Sequence, residues 1–166
     1  MKEKYDVPIA PESEFISYMM EQMSQFGLPC TEEQAKDFYV YYVRMIETNK
    51  YLNLTGITDM KEVVVKHMID SLSCYDPNIT KSGMSIIDVG TGAGFPGIPL
   101  AIYDRSLKVT LFDSLKKRLT FLESVMDELK LTNCTTLHGR AEDLSHQDYR
   151  ESFDIATSRA VEIGRA

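Results

Sequence analysis

Cysteine is scarce in this chain: Cys30, Cys74 and Cys134 are the only three, far apart and without a C-x-x-C pair. A disulfide scaffold and a thiolate metal knuckle are thereby excluded as organising principles, and the three read as buried thiols of a reducing compartment. Long apolar runs are missing as well. None approaches the ~18 residues of a membrane span, and the opening M-K-E-K-Y-D-V-P lacks the apolar core of a signal peptide, so a cytoplasmic address is expected. Positive charge is in deficit, with 18 Lys and Arg against 25 Asp and Glu and a net charge of −7. A broad basic face for gripping free nucleic acid is excluded, and any such role must rest on local clusters or a structured partner. The histidines His67, His138 and His146 share no ligand-like spacing, so no metal is expected.

What the chain does have is an ordinary globular balance, 43% hydrophobic and 26% charged over 166 residues, enough for one substantial core. Its most informative stretch is S-I-I-D-V-G-T-G-A-G-F-P-G-I-P, Ser85 to Pro99. A short apolar run ending in an acid is followed by Gly90, Gly92, Gly94 and Gly97 and then by a helix-like I-P-L-A-I, the pattern of strand, tight turn and helix. Such glycine density serves positive φ or a ligand lying directly on the main chain. The register admits two ligand classes. Gly92-x-Gly94-x-x-Gly97, with Asp113 about 20 residues on, satisfies the dinucleotide fingerprint of an NAD-linked oxidoreductase. Asp88-x-Gly90-x-Gly92-x-Gly94 is also the first motif of S-adenosylmethionine (SAM) methyltransferases. Charge favours the second, because Asp88 would repel a pyrophosphate but suit the ammonium and sulfonium of SAM.

In chain order, Phe15, Met19, Met23 and Phe26 lie on one face of a helix over 12–26 that Gly27 stops. Thr31-x-x-Gln34 forms a capping box for a second helix reaching about Thr48, striped with Ala35, Phe38, Tyr42 and Met45. Asp59 with Glu62 caps a third, on which Val64, Met68 and Leu72 share a side; the spacing also lets His67, Asp70 and Ser71 share a face. On residue types alone that trio reads more readily as a solvated pair and a neighbour than as a chemical site. Asp76 to Gly83 is the clearest boundary, separating a helical segment, 1–80, from an α/β core, 81–166. In that core Lys108–Phe112, Cys134–His138 and Phe153–Ser158 read as further strands, and Ser114 as the cap of the helix between the first two. Asp113 at a strand end suits ribose hydroxyls. Ala141 leaves room for an adenine ring beside the polar pair Glu142 and Asp143, and Arg159 faces the ligand edge of the sheet. Lys116, Lys117 and Arg118 crowd a helix start, as phosphate contacts or a solvated basic edge.

These segments together resemble one family, the bacterial small-subunit rRNA guanine-N7 methyltransferases (RsmG, or glucose-inhibited division protein B, GidB). The resemblance is carried by Y-L-N-L-T at Tyr51–Thr55, K-H-M-I-D-S at Lys66–Ser71, the glycine stretch, F-D-S-L-K-K-R at Phe112–Arg118, G-R-A-E at Gly139–Glu142 and S-R-A at Ser158–Ala160. Order and spacing agree from about residue 10 to Val161. The resemblance implies SAM held by Gly90, Phe95, Ala141, Glu142 and Arg159, with Asp113 on the ribose. It also implies methyl transfer to N7 of a guanine in 16S rRNA of the small ribosomal subunit, and raises Asn53, His67, Asp70 and Ser71 to substrate-side or structural motif residues. Guanine N7 already has a free lone pair, so no general base is assigned.

The fold expected is α/β and Rossmann-like, a parallel sheet with helices on both faces and an N-terminal helical segment. Only four strands can be counted, fewer than this methyltransferase fold usually has, so a C-terminally truncated form with impaired transfer is expected. Strand four would then be an exposed edge. A SAM-binding fragment without catalysis is the non-enzymatic alternative.

Overall fold

The computed structural model describes residues 6–145 and 152–159. His146, Ala160 and Val161, and the end of the expected α/β core, lie outside the described residues. Helix α1, Glu12–Phe26, buries Phe15, Met19 and Met23 and ends at Gly27 in the left-handed region, φ 88°. Helix α2, Glu32–Thr48, begins with the full reciprocal capping box of Thr31 and Gln34, which satisfies two otherwise orphaned N–H donors. The third helix starts where Asp59 accepts from the Glu62 N–H. It runs through α3, Met60–Glu62, a π-helical stretch, Val63–Ile69, and α4, Asp70–Leu72. Val64, Met68 and Leu72 are fully buried.

The sheet is parallel, in the order β3-β2-β1-β4. Its strands are β1 Ser85–Val89, β2 Lys108–Asp113, β3 Cys134–His138 and β4 Ile155–Thr157. Helices α5, Gly97–Tyr103, and α6, Lys116–Leu129, make the crossovers from β1 to β2 and from β2 to β3, as short parallel units require. Strand β4 is shorter than the sequence suggests and pairs Ile86 with Ile155 and Asp88 with Thr157. Its entry is pinned by Asp154, whose carboxylate accepts from the Ser85 N–H at 2.8 Å.

Helix α2 packs on both α5 and α6, and α4 on α5. One hydrophobic cluster therefore runs from Phe15 through Tyr41 and Ile98 to Leu122 and Cys134, joining the helical segment to the sheet. Two expectations need correction. Cys74 is exposed, not buried, while Cys30 and Cys134 are buried. Ser114 does not cap α6: the position before the helix is Leu115, and its N–H is taken by the Asp113 carboxylate at 2.9 Å. Helix α6 thus starts without a side-chain cap, and Asp113, the last residue of β2, holds the residue before the helix.

Candidate functional site at the carboxyl end of the first strand

Between β1 and α5 the chain makes a tight loop in which Gly90, Gly92 and Gly94 have φ of 67°, 58° and 105°. Gly94 is also enclosed. A Cβ there would lie 2.7 Å from the Tyr41 hydroxyl and 2.8 Å from both Ile98 and Leu122, so no larger residue fits even if its backbone complied. The loop is held from below by two buried carboxylates on neighbouring strands. Asp88 accepts from the Thr91 hydroxyl at 2.7 Å and the Gly97 N–H at 2.9 Å; Asp113 accepts from the Gly92 N–H at 2.9 Å. From the helical side, the Tyr41 hydroxyl donates to the Ala93 carbonyl. Four side chains from three elements and the loop itself thus fix the main chain that any ligand would meet.

Burial leaves its mark on Asp88. It is fully inaccessible, its Oδ1 has no partner among the described residues, and loss of hydration pushes its carboxyl up to about 7 against the opposing pull of Thr91 and Gly97. The sequence reading set this acid facing a cationic ligand. The structure instead turns it under the loop, where it shapes the site without walling it. Asp113 is likewise only 2% exposed, with its oxygens engaged by Gly92, Leu115 and, at 3.6 Å, Arg118.

Above the loop lies a cleft of about 250 Å³ walled by Gly90 to Ala93, Phe95, Leu54, His67, Arg118 and Arg159. Arg159, two residues past the end of β4, reaches the third helix and organises the trio there. Its Nε is 3.2 Å from Asp70; its two terminal nitrogens lie 3.4 Å from Ser71 Oγ and 3.1 Å from His67 Nδ1, and one also donates to the Lys66 carbonyl. A guanidinium only donates, so His67 Nδ1 is the acceptor and Nε2 carries the proton. That proton is directed at Thr55 Oγ1, 2.7 Å away. The imidazole stacks on Phe95 at 4.4 Å and 14°, and the Arg159 guanidinium lies 5.5 Å from the same ring. Burial, with the Arg159 charge second, holds His67 down to about 4, so it is neutral near pH 7. The trio that looked solvated is, for His67 and Ser71, buried.

Of the expected site residues, the cleft collects Gly90, Gly92, Phe95, His67 and Arg159, with Asp70 and Ser71 behind Arg159 and Gly94 behind the loop. Asn53 is exposed and outside the wall, and Ala141 and Glu142 are exposed in a short 3-10 turn, Ala141–Ser145, just after β3. Sequence reasoning missed Tyr41, Thr55 and Thr91. It also missed Asn49, whose side chain folds 49–55 back by accepting from the Leu54 and Thr55 N–H groups and donating to the Thr55 carbonyl. Thr55 and Thr91 had a signal, their places inside Y-L-N-L-T and the glycine stretch. Among the described residues no group of three or more His, Cys, Asp or Glu side chains is arranged to hold a metal ion, and no helix is long and apolar enough to cross a membrane.

Residues 34–165 match the family described as GidB, rRNA small subunit methyltransferase G. The chain belongs to the GidB family. A GidB relative named ribosomal RNA small subunit methyltransferase G, from Leuconostoc mesenteroides, is 46% identical over 145 residues, 86% of this chain and 61% of the relative. One of the same name from Clostridium botulinum strain Eklund 17B is 47% identical over 148 residues, 89% of this chain and 62% of the relative. The chain thus spans about three fifths of the length of the curated GidB proteins it matches. Among solved structures, one from Plasmodium falciparum described as a protein-L-isoaspartate O-methyltransferase with S-adenosyl-L-homocysteine superposes with a TM-score of 0.52 at 17% identity, covering 87% of this chain and 72% of that one. That likeness is one of fold, and it agrees with the GidB assignment in giving a Rossmann-like methyltransferase sheet.

Proposed function

We propose that the cleft over the glycine loop binds S-adenosylmethionine, and that the protein serves methyl transfer to N7 of a guanine in 16S rRNA. The observation that carries the reading is the cleft itself: glycine main chain at the carboxyl end of β1, opposed by Arg159 and His67 from the segments that mark the family. The lining fits a SAM-like ligand at its carboxylate, for which Arg118 and Arg159 are the available cations. At about 250 Å³ it is smaller than sites that enclose a drug-sized ligand, so the nucleoside end would extend along the strand termini toward Asp113, Ala141 and Glu142. Those three, with Gly90, Gly92 and Phe95, are the residues proposed to hold it.

Bound SAM supplies an electrophilic methyl group on a sulfonium. The protein's part is alignment. N7 of guanine carries no proton, so no base need remove one. His67 agrees with this: both its ring nitrogens are engaged, one accepting from Arg159 and one donating to Thr55, leaving no lone pair for the substrate. It acts as a positioning residue that fixes Arg159 over Phe95. A place at the small ribosomal subunit, in the cytoplasm, belongs to the same proposal.

The test is a calorimetric titration of the folded chain with SAM and, separately, with NADH. Saturable SAM binding that Gly90→Asp abolishes, with none for NADH, is expected; NADH binding in its place would move the loop to a dinucleotide. Transfer of labelled methyl to small subunits then tests the reaction, and binding without transfer would leave a SAM-binding module only.

A further inference from the structure

A second cleft, of about 530 Å³, opens beside the first. Its walls come from the C-terminal end of α2, the turn after it and one side of α6, and include Arg44, Thr48, Tyr51, Leu52, Lys117 and Phe121. The two clefts share their dividing segments: Leu52 lines one and Leu54 the other, and Lys117 lines one while Arg118 lines the other. In a chain of net charge −7, this second cleft is lined by two cations and by no carboxylate. Arg44 is paired at the rim with Glu128. Lys117 has no ion-pair partner among the described residues. Tyr51 is 83% exposed, which leaves its ring open to a stacking partner.

We infer that this cleft holds a nucleotide flanking the target guanine in an unpaired RNA segment, its base stacked on Tyr51 and its phosphate held by Lys117. The inference rests on the function proposed above and adds a second subsite to it. The chemistry is that of single-stranded RNA recognition, in which splayed bases stack on aromatic rings while cations track the backbone. The adjacency of the clefts supplies the geometry: a base presented to the glycine loop leaves its neighbour over Leu52 and Tyr51. It also reconciles an acidic protein with an RNA substrate, since the positive potential is concentrated where the strand passes.

The experiment measures binding of 16S rRNA transcript by anisotropy across a salt series, beside calorimetric SAM binding, for the parent chain, Tyr51→Ala, Tyr51→Phe and Lys117→Gln. Both positions are exposed, so folding is retained and circular dichroism verifies it. Tyr51→Ala is expected to weaken RNA binding by roughly 5- to 100-fold with the salt slope unchanged, and Tyr51→Phe to keep it. Lys117→Gln is expected to lower the slope by about one. SAM affinity is expected to be the same in all four. RNA binding by the parent that neither Tyr51→Ala nor Lys117→Gln alters overturns the subsite alone. Failure of the parent to bind RNA overturns the proposed function and the subsite together.

Discussion

His67 and Asp88 lie on opposite sides of the glycine loop and are perturbed in opposite senses. Burial holds His67 at about 4, below its ordinary 6.5, so the unfolded chain takes up more protons between those values. Its contribution to stability is complete above pH 6.5 and is lost as pH falls toward 4. Asp88 is raised to about 7 from 3.8, so here the folded chain holds the extra proton. Its contribution is complete below pH 3.8 and is lost as pH rises through 7. The two slopes oppose one another over almost the same window. Asp88→Asn keeps an oxygen for Thr91 and Gly97 and removes the titration. Its urea midpoint should therefore climb from pH 4 to 6.5 more steeply than the parent's, and superimposable pH profiles would refute the opposition.

The strand-loop-helix unit is where packing and backbone conformation reinforce each other. Gly94 combines a φ of 105° with three side chains closer than a Cβ permits, whereas Gly83, at φ 81°, faces open space. Gly94→Ala should cost about 2–4 kcal/mol, the sum of backbone strain and overpacking, and Gly83→Ala about 1 kcal/mol. Equal denaturation midpoints for the two variants would show that the enclosure carries no energy. This unit was readable in advance because glycine spacing and an apolar run are local signals, as were Gly27 behind α1 and the Thr31–Gln34 box before α2. The direction of Asp88 and Asp113 was not readable. It is set by donors on Thr91, Gly92, Gly97 and Leu115 that reach these acids only once the loop has closed. A motif shows that a carboxylate is present, and the surrounding N–H groups decide which way it turns.

Taken as a whole, the molecule ties its first eighty residues to the α/β core by burial, by scattered polar contacts such as Tyr41 to Ala93 and Arg105 to Asp37, and by a polar fork just past the end of β4. The strands of the parallel sheet and the helices between them follow from patterns within each segment, whereas the strand order and the packing of α2 on α5 and α6 are long-range and were not legible there. Nor was the convergence of Arg159 on Lys66, His67, Asp70 and Ser71, because all four groups are 88 to 93 positions away. That separation governs the order of events in folding. Closing so long a loop costs chain entropy that short-range pairings avoid, so the fork should form after the barrier has been crossed. Arg159→Lys, which keeps the charge and loses the planar fork, should then leave the refolding rate nearly unchanged and speed unfolding by roughly tenfold or more. Stopped-flow chevrons would read both limbs, and a slowed folding limb would instead put this contact in the nucleus. The side chain that organises the cleft would accordingly act as the latch that sets how long the folded protein lasts.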